Sequence, residues 1–172
     1  MFIDNLKHIW SDADHSFLQS SDGSELYFRD IENVRISRIE KIQTGDVVAL
    51  IGDFDPESIA TLLSLLSRGA IVVPLTDETR GQHEYFITES CTQYILEKNR
   101  LAKVISASQT SHPLLNSLRE LGHPGLVLFT TGTTGRPKAI LHDFIPFISR
   151  YRTPRPPLKA ISFLLFDHIG GI

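Results

Sequence analysis

The 172-residue chain is poor in the features that mark the special classes of protein, and each shortage removes a class. Its one cysteine, Cys91, excludes an internal disulfide and fits a reducing compartment. Hydrophobic residues never run unbroken for the ~18 positions that a membrane span needs. A dense basic run is missing too, and a net charge of −3 gives nucleic acid no electrostatic footprint. The opening MFIDNLKHIW breaks its apolar residues with acid and base, unlike a signal peptide, so the expected location is cytoplasmic. What remains is 41% hydrophobic and 22% charged, which is enough for one moderate core and too apolar for a disordered chain.

The most informative stretch runs from Leu126 to Asp143, LVLFTTGTTGRPKAILHD. Leu126 to Phe129 are an apolar run bounded by Gly125, the pattern of a short interior strand. Thr130, Thr131, Gly132, Thr133, Thr134 and Gly135 then place four hydroxyls and two glycines in succession, so backbone N–H and side-chain O–H groups can converge on one anion. Pro137 stiffens the exit and Lys138 adds a positive charge, a combination suited to a polyphosphate. The NTPase P-loop requires Gly-Lys followed by Ser or Thr, whereas Lys138 lies between Pro137 and Ala139. A plain polar turn does not explain the ordered Pro-Lys ending.

This run is similar to the signature of the adenylate-forming ligases, which include acyl-CoA synthetases, aryl-CoA ligases, luciferases and adenylation domains. That signature is a Ser/Thr pair followed by Gly-Thr-Thr-Gly-x-Pro-Lys-Gly. Thr131 stands where Ser is commoner, and Ala139 stands where Gly is usual. The resemblance implies that Thr130, Thr131, Gly132, Thr133, Thr134, Gly135 and Lys138 hold the phosphates of ATP, with Mg2+ nearby and no direct protein ligand to the metal. It also implies that His168 orients the acid substrate at the mouth of an acyl pocket, although Asp167 replaces the aromatic residue more usual before that His. No catalytic residue is assigned within the chain.

The rest of the chain reads as scaffold. Residues 1–24 look like a surface arm, with Trp10 and Phe17 as packing anchors. A strand is expected over 25–29, followed by a helix capped by Asp30 that places Ile31, Val34, Ile39 and Ile42 roughly on one face. Val47 to Ile51 and Ala70 to Leu75 read as strands buried on both faces. Between them, Asp55 caps a helix over 56–67, with Pro56 and Glu57 in its first turn, an apolar stripe of Ile59, Leu62, Leu63 and Leu66, and Gly69 at its close. Together they form a parallel βαβ unit. Asp53 and Asp55 have a spacing that can share a cation, but capping accounts for Asp55 and no metal site is assigned. Residues 76–90 read as a polar helical frame around Phe86 and Ile87. Cys91 reads as a buried structural thiol and 94–96 as a third strand. Residues 97–112 read as a loop, and 113–121 as a helix ended by Gly122. A helix over 143–151 should stop before Pro154, Pro156 and Pro157, and a strand is expected at 160–165.

The expected fold is α/β, a mostly parallel sheet flanked by helices, as part of the large N-terminal domain of such a ligase. Residues 1–44 form the arm and helix, 45–125 the βαβ region, and 126–172 the phosphate loop and the start of the acyl-pocket segment, with the C-terminal domain absent. The implied activity is ATP-dependent formation of an acyl-AMP from a small carboxylic acid and transfer to CoA or to the phosphopantetheine of an acyl carrier protein, the chemistry of fatty acid metabolism among others. The chain stops after Gly170 and Gly171, within a motif, and reads as a fragment that is inactive alone and prone to self-association. The loop by itself should bind a polyphosphate with a Kd of about a millimolar or weaker. A different reading is a truncated, non-catalytic phosphate-binding or interaction module.

Overall fold

A computed structural model describes residues 16–19, 22–36, 38–104, 112–130, 135–149 and 164–170. Its centre is a six-stranded sheet. Val47–Ile51 (β3), Ile71–Leu75 (β4), Tyr94–Glu97 (β5) and Gly125–Thr130 (β7) are its parallel strands, while Arg100–Lys103 (β6) and Lys138–Asp143 (β8) run antiparallel on the two edges. The order is β6-β5-β3-β4-β7-β8. Two further strands, Leu18–Gln19 (β1) and Glu25–Leu26 (β2), form a separate antiparallel pair.

Alternation along the strands explains the two-sided burial. Val48, Leu50 and Val72 face a core shared with the helix Pro56–Ser67 (α2), with Phe28 and Ile31 of Phe28–Glu32 (α1), and with Phe144 of Phe144–Ser149 (α5). Val47, Ala49, Ile71 and Val73 point the other way, onto Phe86 of His83–Glu89 (α3) and Leu115 and Leu118 of Pro113–Leu121 (α4). Helices on both faces are what a parallel sheet of continuous apolar strands requires.

α2 forms as expected. Asp55 accepts the Ser58 amide at 2.9 Å, Pro56 occupies the first turn, and Gly69 closes the helix at φ +78°. A Cβ at Gly69 would sit 2.8 Å from Thr44 Cγ2 in a conformation that side chains resist, so glycine serves there for space as well as for φ. Asp53 is spent locally on the Phe54 amide, and among the described residues no group of three or more ligand-type side chains is placed to hold a metal.

Several local readings are corrected. The strand expected at 25–29 shrinks to Glu25–Leu26 because α1 starts three residues before the position read from Asp30. Asp30 is inside the helix and reaches back to accept the Tyr27 amide at 2.9 Å. The helix ends at Glu32, and Ile39–Lys41 make a separate 3-10 turn, although Ile31 and Ile42 are both buried. Within 97–112, read as a loop, Lys98 and Asn99 adopt positive φ (44° and 57°) and fold β6 back onto β5 as a two-residue hairpin. The helix expected from 143 begins at Phe144, and the residues before it form β8.

Cys91 is only half-buried, at φ +54°, against the second core face. Phe17 packs edge-to-face on Phe28 at 6.0 Å. Trp10, residues 150–151 of the expected helix and 160–163 of the expected strand lie outside the described residues, and Leu164 and Leu165 are not in a strand. Among the described residues no helix is long and apolar enough to cross a membrane.

Candidate functional site

In an open parallel sheet, ligands bind beyond the carboxyl ends of the strands. Three of the loops at that end concern the site: the one after β3 carrying Phe54, the one after β4 beginning at Thr76, and the Thr/Gly-rich loop after β7. The last is closed by β8, whose first residue pairs back on the last of β7, Thr130 opposite Lys138. β8 is thus an antiparallel partner of β7, an interior strand that also pairs with β4. Thr130, Arg136 and Lys138 are exposed, and Gly135 takes φ +90° with nothing within 4 Å of where a Cβ would lie.

The structure pairs Thr130 with Lys138 and leaves Gly135 exposed three residues before that lysine, while Thr131, Gly132, Thr133 and Thr134 lie outside the described residues. A hydroxyl, an ammonium and the guanidinium of Arg136 on an open glycine-containing turn fit an extended anion such as the polyphosphate of ATP. Arg136, the unspecified position of the signature, adds a cation that the sequence reading left out.

The stem of the loop is fixed by α3. Phe86, 3% exposed, stacks on Phe129 with centroids 4.0 Å apart and planes 20° apart. Tyr85 donates its hydroxyl to the Pro137 carbonyl at 3.0 Å. Neither residue carries a sequence signal that would distinguish it from ordinary core.

His168 lies on the separate turn 164–170. Phe166, 2% exposed, anchors that turn edge-to-face on Phe54 at 5.5 Å. Asp167 accepts the hydroxyls of Thr76 at 3.1 Å and Thr79 at 3.2 Å. The turn thus docks beside the ends of β3 and β4. The His168 ring is exposed, and its Nδ1 accepts the Gly170 amide at 3.1 Å. Beneath Asp167, the buried His83 places Nε2 2.9 Å from the Thr76 carbonyl. A carbonyl only accepts, so Nε2 carries the proton. The Thr76, Thr79, His83 and Asp167 cluster was not foreseen, because its members are separated by up to 91 positions in sequence.

No protein-family model matches the chain. The chain is 25% identical over 155 residues to a plipastatin synthase of Bacillus subtilis, a match covering 79% of this chain and 6% of that protein. Its fold matches the N-terminal subdomain of NpsA from Klebsiella oxytoca, solved in complex with 3-hydroxyanthranilyl-AMSN, with a TM-score of 0.52 at 17% identity over 80% of this chain and 39% of that one. An artificially fused adenylation-PCP di-domain, NpsA-ThdA from the same organism, matches with a TM-score of 0.52 at 17% identity, over 80% and 31%. The fold is that of the N-terminal subdomain of an adenylation enzyme. With the Thr130–Lys138 signature, the chain is similar in sequence to peptide synthases and in fold to the N-terminal subdomain of adenylate-forming enzymes. It spans well under half the length of these relatives.

Proposed function

We propose that the chain supplies the polyphosphate grip of an ATP-dependent carboxylic acid ligase, as part of its N-terminal domain. The carrying observation is the pairing of Thr130 with Lys138 at the carboxyl end of an interior parallel strand, which sets one hydroxyl opposite one cation, with the exposed Gly135 three residues before it. Thr130 to Thr134, Gly135 and Lys138 hold the β- and γ-phosphates with their Mg2+. Lys138 offsets the charge that grows on pyrophosphate as the acid's carboxylate oxygen attacks the α-phosphorus and the bond to pyrophosphate breaks. A thiol then attacks the acyl carbon and AMP leaves. His168 faces the acid substrate on this reading. The likeness to an adenylation-PCP fusion favours a carrier-bound phosphopantetheine thiol over free CoA as acceptor. The proposed setting is the cytoplasm, where ATP is plentiful.

The test is acid-dependent ATP–pyrophosphate exchange on the polypeptide that the open reading frame encodes, across a panel of aromatic, amino and fatty acids. Exchange that falls steeply in Lys138→Ala supports the ligase. Polyphosphate binding without exchange for any acid selects a non-catalytic phosphate-binding module instead.

A further inference from the structure

α3 touches the phosphate loop on both sides. At the entrance, Phe86 stacks on Phe129, the residue before Thr130. At the exit, the Tyr85 hydroxyl holds the carbonyl of Pro137, the residue before Lys138. Proline has no amide proton to anchor this point to a neighbouring strand, so its carbonyl is the backbone group available for a tether, and Tyr85 takes it. The ring of Tyr85 rests against Phe86 and Phe129, with centroids 6.0 and 6.4 Å away, which limits the swing of the hydroxyl.

We propose that Tyr85 is a positioning residue for the polyphosphate grip, fixing the loop exit through Pro137 so that Lys138 stays opposite Thr130. The inference rests on the reading of this loop as a phosphate site. Without the tether, the exit samples positions in which the lysine and the threonine hydroxyls no longer meet one anion, and binding must restore the order. Tyr85 does not touch the phosphate in this account. Its loss therefore weakens affinity without removing a ligand.

The test titrates magnesium pyrophosphate into the 172-residue chain by calorimetry, for the wild type, Tyr85→Phe and Lys138→Ala, with the thermal midpoint of each recorded. Tyr85→Phe keeps the ring and deletes only the hydroxyl, so it should bind about fivefold more weakly, the worth of one neutral hydrogen bond, with little change in midpoint. In parallel, 3-fluorotyrosine at position 85 should give a 19F resonance that shifts on pyrophosphate addition and saturates at the calorimetric Kd, a response that a purely structural tyrosine would lack. If Tyr85→Phe is too unstable to titrate, this resonance decides the matter. Unchanged affinity in Tyr85→Phe, or a 19F signal indifferent to pyrophosphate, overturns the role of Tyr85 while Lys138→Ala still weakens binding. Affinity unaffected by Lys138→Ala removes the phosphate reading and this inference with it.

Discussion

Asp167 links the turn carrying His168 to the end of β4, and its removal should be costly. Both Thr76 and Thr79 donate to its Oδ2, at 3.1 and 3.2 Å. The two are not equivalent when Asp167→Ala is made. Thr79 has a second acceptor, the Thr76 carbonyl at 3.1 Å, and can turn its one proton there. Thr76 is fully buried at 0% exposure, and its hydroxyl loses the acceptor it uses. Hydrogen bonds to a charged group contribute about 1.5–3 kcal/mol, and an orphaned buried donor costs about 1–3. Because only one donor is stranded and the carboxylate is partly solvated, the loss should be about 2–3 kcal/mol rather than the sum of two such bonds. Asp167→Asn retains an acceptor oxygen and should lose about half of that. Urea unfolding with a constant m-value measures the change, and hydrogen exchange at the His168 amide, bonded to the Leu165 carbonyl at 3.0 Å, reports the turn itself. Asp167→Ala within about 0.5 kcal/mol of wild type, with His168 exchange unchanged, would refute the linkage; surface substitutions behave that way.

Phe86→Ala removes a buried ring stacked on Phe129, at the stem of the Thr/Gly-rich loop, and should destabilise the protein by about 3–5 kcal/mol in the same unfolding assay. The carboxyl of Asp77 is held below the ordinary carboxylate range, first by its hydrogen bond from Arg80 and then by that residue's charge, and Arg80 also pairs with Glu97 at the end of β5. A depressed carboxyl contributes stability that is fully present above its unfolded value of about 3.9 and is lost as pH falls through the folded value. Arg80→Ala should raise the Asp77 titration midpoint measured by NMR, and the stabilities of variant and wild type should converge below about pH 4.

The sequence pattern carried the centre of the fold because local and long-range signals agree there. Val47–Ile51 and Ile71–Leu75 are apolar on both faces, and Asp55, Pro56 and Gly69 mark the intervening helix with caps whose geometry is local. The edges were harder. β6 is Arg-Leu-Ala-Lys behind a Lys-Asn turn, lacking both the apolar alternation and the glycine that usually announce a hairpin. β8 is paired along its whole length with β7, a long-range match that its own residues do not advertise. For the proposed site, Thr130, Gly135 and Lys138 were legible as candidates because one contiguous motif holds them. Tyr85 and the Asp167 cluster were not, since their roles come from contacts 52 to 91 positions apart.

The central claim is that the hairpin loop between β7 and β8 grips polyphosphate through Lys138. Phosphorus NMR of ATP with magnesium, titrated with the 172-residue chain, tests it directly. The β- and γ-phosphate resonances should broaden and shift more than the α-phosphate, with a Kd of about a millimolar. Removing a charge aimed at phosphate typically costs about 3 kcal/mol, so Lys138→Ala should leave these resonances unperturbed at the same concentrations. An identical perturbation in wild type and Lys138→Ala would contradict the account.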